Sequence, residues 1–146
     1  MTSDNMSELS HLIAQQLELQ TELLELEKGK TEILIKGDIE QLNQVMVKEQ
    51  AFISKSACLE KQCKELLADA GLIGLSFREI SKKNDPDSKY LFSRSLDALE
   101  NVLQQLKKTN DFNNKIILSK ISVLGHCLSM LGLHEDSLTY KKDGHF

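Results

Sequence analysis

The chain has 146 residues, 40% of them apolar and 27% charged, with a net charge of −4. That is the length of one domain, and its acidic balance excludes bulk attraction to nucleic-acid phosphates. No run approaches the roughly 18 consecutive apolar residues of a bilayer span, and the first five residues carry neither the basic nor the apolar region of a secretory signal.

One apolar pattern recurs three times. Leu9, Leu12, Leu19, Leu23, Leu26 and Ile33 follow three-then-four spacing, with Gln16 and Lys30 at the missing steps. Such spacing places side chains on one stripe of an α-helix, which must be buried. Asn5 with Glu8 forms a weak capping box, which predicts a first helix from there to about Lys36. Gly37-Asp38 follows. Glycine permits a left-handed stop, and Asp38 with Gln41 can cap the next helix. This turn chemistry favours an αα-hairpin over a kink in one long helix.

The second stripe is Leu42, Val45, Phe52, Leu59, Cys63 and Leu66, broken by Glu49 and Ser56, on a helix from about Ile39 to Ala68. Ala70 to Gly74 ends it. A short amphipathic piece, Ser76 to Ser81, follows, with Leu75, Phe77 and Ile80 placed to cover one end of the bundle. Asp85-Pro86 is a matched start signal for a third long helix, because proline suits the first helical position. Its stripe is Phe92, Leu96, Leu99, Leu103, Leu106, Asn110, Asn113 and Ile117. After Ile117 strict spacing would seat Lys120, but Ile121, Leu124, Leu128 and Leu131 carry the stripe instead, a stutter that unwinds a packing seam. The helix runs from about Pro86 to Leu131, on the order of 65 Å, against about 45 Å for each of the others. It must therefore overhang, bend or break. Residues 1–132 read as one elongated helical domain and 133–146 as a flexible C-terminal tail. The fold class expected is all-α, an elongated antiparallel bundle or coiled-coil hairpin with a long third helix.

Chemistry is sparse. His11, His126, His134 and His145 have no partner at zinc-ligand spacing, and adjacent His126 and Cys127 point to different helix faces. Glu49 is a lone seam carboxylate, short of the facing set a di-iron bundle needs. There is no phosphate loop and no nucleophile elbow. No enzyme, metal or cofactor is expected. Cys58, Cys63 and Cys127 are odd in number and lack C-x-x-C spacing. Cys63 and Cys127, on or beside the stripes, read as small buried hydrophobes in a reducing compartment.

Asn110 and Asn113 admit three readings. They flank the stripe and meet water, they sit in the seam and set register, or they offer polar anchors to a partner. Ile117, Ile121, Leu124, Leu128 and Leu131 have no full-length partner within the chain, so they mark a partner-binding surface.

Several ordered pieces carry a resemblance. They are Leu23-Leu24-Glu25-Leu26-Glu27-Lys28, then Lys36-Gly37-Asp38-Ile39-Glu40-Gln41-Leu42, Lys48-Glu49-Gln50 and Leu59-Glu60-Lys61. Later come Asn110-x-x-Asn113 with Ile116, Ile117 and Leu118, and the ending Thr139-Tyr140-Lys141-Lys142-Asp143-Gly144. Together they resemble the FlgN family of bacterial flagellar export chaperones over essentially the whole length. The family usually carries arginine where this chain has Cys63, a departure that removes the charged group at that position. The resemblance implies a cytoplasmic type III export chaperone for hook-associated proteins, the proteins of the hook–filament junction. It would hold a substrate's C-terminal amphipathic helix, prevent premature assembly and deliver it to the export gate. It also implies that Tyr140 is tied to gate docking. No nucleic-acid or membrane partner is expected. Monomer, homodimer and domain-swapped states remain open, and a self-associating coiled-coil scaffold is the rival class.

Overall fold

The structure is a computed structural model and describes residues 3–82 and 86–132. Among the described residues four helices follow in order: α1 Ser3–Lys36, α2 Ile39–Asp69, α3 Phe77–Ser81 and α4 Pro86–Met130. The fold is all-α, as the three stripes require. Helix α1 begins at Ser3, ahead of the expected cap, so Asn5 lies within its first turn. The Gly37-Asp38 hairpin forms. Gly37 takes φ 75°, and the Asp38 carboxylate accepts from the Gln41 amide at 3.0 Å. Ser76 caps α3 by accepting from the Glu79 amide.

Helix α1 is the middle helix. It packs against both α2 and α4, whose Cα atoms stay more than 8 Å apart throughout. Its contacts fix the directions of its neighbours. Lys30 meets Glu49 and Gln20 meets Ser56, so α2 runs antiparallel to it. Thr31 meets Asn113 and the Ile35 carbonyl meets Lys120, so α4 runs parallel to it. A helix packed on two sides needs more than one apolar stripe. Alongside the first stripe, α1 carries a second at the same spacing: Met6, Leu9, Ile13, Leu17, Gln20, Leu24, Glu27, Thr31 and Leu34. Its members are buried or half-buried.

The two ends of the rod differ. At one, Leu9, Leu12 and Ile13 of α1, Cys63 and Leu66 of α2, and Phe92, Leu96 and Leu99 of α4 form a continuous core. Leu72 and Ile80 close it, with Leu75 and Phe77 packed alongside, which is the end-covering role the short amphipathic segment predicts. Arg78 fastens α3 to α4 through Asp97 at 2.7 Å and Glu100 at 3.1 Å. Burial, with the nearby Glu60 carboxylate, pushes the Cys63 thiol up, as befits a core residue. Cys127 is exposed, unlike Cys63, because it lies on the solvent side of the last turns of α4.

The other end is the hairpin turn, and α4 passes it without a break. Lys120 lies level with the turn, where its ammonium donates to the Ile35 carbonyl at 3.3 Å. A cation at the C-terminal carbonyls of α1 complements the helix dipole, which gives the lysine at the stutter a structural use. Beyond it α4 overhangs by roughly 15 Å. Gly132, at φ 77°, ends the helix.

Candidate partner-binding face

At the hairpin end the helices expose apolar side chains in numbers the closed end does not. Helix α2 shows Ile39, Met46, Val47 and Ile53, α1 shows Ile35, and α4 shows Phe112, Leu118, Ile121, Val123 and Leu124. Scattered apolar residues are ordinary on a protein surface, but a group concentrated at one end and running onto an overhang marks a contact surface. Ile121 and Leu124 are 55% and 53% exposed even though they continue the α4 packing stripe. The hairpin ends below them, so no helix of α1 or α2 is there to receive them.

The residues singled out from the sequence divide. Ile121, Leu124 and Leu131 are exposed, Ile117 is half-buried, and Leu128 is buried at 6%. Asn110 is exposed, whereas Asn113 is 2% exposed and enclosed by its own chain. Tyr140, Thr139 and Gly144 lie outside the described residues, as does the whole segment 133–146.

Asn113 belongs to a polar layer across all three long helices. Its Nδ2 donates to the Glu27 carbonyl at 3.1 Å, and its Oδ1 accepts from the Thr31 hydroxyl at 2.5 Å. On the other side of α1, Lys30 Nζ donates to both carboxylate oxygens of Glu49, at 3.0 and 3.3 Å. Between these sits Glu27, 3% exposed, with its Oε2 4.0 Å from Lys30 Nζ and without a hydrogen-bond partner. Burial pushes the Glu27 carboxyl up to about 7, and the neighbouring Glu49 pushes it the same way. Glu49 is shifted the opposite way. Burial works to raise it, but the hydrogen bonds from Glu27 and Lys30 outweigh that and hold it below the usual carboxylate range.

A smaller layer lies two turns away, where Gln20 Nε2 donates to Ser56 Oγ at 3.0 Å and to Gln16 Oε1 at 3.4 Å. The four interruptions of the first two stripes thus meet across the α1–α2 interface: Lys30 with Glu49, and Gln16 with Ser56 through Gln20. Polar groups paired in a seam fix register, since a shift by one heptad would bury each without its partner. Glu27, Thr31 and Gln20 went unmarked in the sequence. The signal that finds them is the second three-four stripe of α1, on which all three fall.

No helix among the described residues is long and apolar enough to cross a membrane, and no cluster there has the composition to hold a metal ion. The architecture is that of an all-α interaction protein, a helical rod closed at one end and open and apolar at the other. Residues 1–145 match the family model for the FlgN protein, so this chain belongs to the FlgN family of flagellar export chaperones. It is 26% identical over 129 residues to the uncharacterized protein YvyG of Bacillus subtilis (strain 168), covering 85% of this chain and 79% of that one. No solved structure matches.

Proposed function

We propose that this protein is a cytoplasmic type III export chaperone that binds the C-terminal amphipathic helix of hook-associated proteins, shields it from premature assembly and delivers it to the export gate. The observation that carries the reading is the exposed apolar surface at the hairpin end, with Ile121 and Leu124 on an α4 overhang that α1 and α2 do not reach. An amphipathic helix buries its own stripe by laying it on such a surface, read through anchors at three- and four-residue spacing. Family membership supports the chaperone role in general. Ile117 and Asn110 border the surface and are assigned to its edge, and Leu131 to its far end. Residues 133–146, with Tyr140, form in this reading a separate element for gate docking, since a tyrosine buries a large ring at small entropic cost.

The rival is a scaffold that covers the same surface with a second copy, as a homodimer or a domain swap. Light-scattering mass separates the two. A chaperone gains the mass of one peptide per chain when a hook-associated C-terminal peptide is added. A scaffold shows a multiple of the chain mass without peptide and takes up none.

A further inference from the structure

The polar layer around Glu27 has an unbalanced charge. Among the described residues, two carboxylates face one another there, Glu27 from α1 and Glu49 from α2, and one cation serves them, Lys30 of α1. Helix α4 contributes the neutral Asn113. Lys30 is committed to Glu49, whose two oxygens it holds at 3.0 and 3.3 Å, and it stands 4.0 Å from Glu27 Oε2. With that Oε2 lacking a hydrogen-bond partner and the residue 3% exposed, an ionised Glu27 would be a poorly compensated buried charge. Such a charge is strongly unfavourable, and a buried acid escapes it by keeping its proton. Protonated, Glu27 becomes a donor, and the acceptor within its reach is the Glu49 carboxylate. The layer then carries one negative and one positive charge and is balanced.

Asn113 brings α4 into this arrangement. It is the polar side chain of α4 docked here, held by the Glu27 carbonyl and the Thr31 hydroxyl one turn further along α1. Loss of the Glu27 proton puts a net negative charge under this joint. Hydrating that charge requires opening one of the two interfaces of α1, and α4 is held here by neutral hydrogen bonds whereas α2 is held by the Lys30–Glu49 ion pair.

We propose that the Glu27–Lys30–Glu49–Asn113 layer is a proton-controlled latch, closed while Glu27 is protonated and loosening α4 from the α1–α2 hairpin when it ionises. The inference is independent of the partner assigned above. The raised Glu27 carboxyl and the lowered Glu49 carboxyl both agree with one proton held between the pair on Glu27.

The test uses the full chain and two variants. The side-chain carboxyl carbon of Glu27 is followed by NMR from pH 5 to pH 9. Amide exchange in α4 around Asn113 is measured at pH 6 and pH 8 and corrected for intrinsic exchange rates. The latch requires that Glu27 titrate near neutrality and that protection around Asn113 fall at least tenfold between the two pH values. Glu27→Gln mimics the protonated acid and should leave protection the same at both. Glu49→Gln removes the excess carboxylate from the other helix. It frees Lys30 for Glu27, so the Glu27 titration should move down and the pH dependence should again disappear. Titration of Glu27 in the ordinary carboxylate range of the wild-type chain overturns the proposal. So does a fall in protection that persists in either variant. Should Glu27→Gln fail to fold, Glu49→Gln and the wild-type titration decide the matter.

Discussion

Asn110 and Asn113 are three residues apart on one stripe, and the structure gives them opposite surroundings, so they form a matched pair for mutation. Asn113→Ala removes a side chain that is 2% exposed and makes two hydrogen bonds to α1. Each such bond contributes about 0.5–1.5 kcal/mol net. The Thr31 hydroxyl keeps a fallback acceptor in the Glu27 carbonyl at 3.3 Å, so it is not left buried without a partner. Adding a small cavity to the two lost bonds, the substitution should cost about 2–3 kcal/mol. Asn110→Ala, on an exposed helical surface, should stay within about 0.5 kcal/mol of wild type. Urea unfolding at pH 6, followed by far-UV circular dichroism, reads both. Equal costs would refute the bridging role of Asn113 and the polar layer with it. Asn113→Leu should also destabilise, the reverse of what removing a merely register-setting seam asparagine would do.

Four further outcomes follow. Stability should fall as pH rises from about 5 to 8. A group with a raised folded pKa stabilises below its unfolded value near 4.5 and loses that contribution through its folded value near 7, which for Glu27 amounts to about 3 kcal/mol. Glu49 acts in the opposite sense and only in acid, below its unfolded value, so the urea midpoint should peak at mildly acidic pH. Gly37→Ala should cost about 1 kcal/mol in the same assay, because φ 75° strains an alanine, while its added methyl meets only the end of the Lys120 side chain at 3.8 Å. Deleting residues 138–146 should leave the helical signal intact and weaken binding to the export gate in pull-down; loss of the fold instead would remove the docking role assigned to Tyr140.

The long helices, the hairpin and the capping segment were legible because each rests on local chemistry. Three-four stripes mark the helices, Gly37-Asp38 marks the turn, and Ser76 and Pro86 mark the starts. What the stripes did not disclose was the order of packing. A helix with one neighbour and a helix with two differ only in the width of the buried arc. In α1 the extra arc is written partly in Gln20, Glu27 and Thr31, which look like wet-face residues until their spacing is laid beside Leu9, Ile13, Leu24 and Leu34. The difference between Asn110 and Asn113 has a related cause. An undistorted helix drifts by about 20° per heptad against a strict repeat. On α4 the edge carried by Leu96 is buried, but one heptad on Leu103 is 45% exposed and after another Asn110 faces solvent. The edge through Leu99, Leu106 and Asn113 stays against α1 over the same length. Helix lengths required α4 to overhang, bend or break, and it overhangs. The burial of Leu128 within the overhang was not legible, since spacing alone groups Leu128 with Leu124.

One titration probes the open apolar face itself. A fluorescently labelled peptide carrying the C-terminal amphipathic helix of a hook-associated protein is added to the wild-type chain and to the Ile121→Asp, Leu124→Asp double variant, at pH 6. Both positions are exposed, so the variant should keep its helical content. The wild-type chain should bind saturably and one-to-one, and the variant at least tenfold more weakly. No binding to wild type, or equal binding to both, would contradict the role proposed for that face.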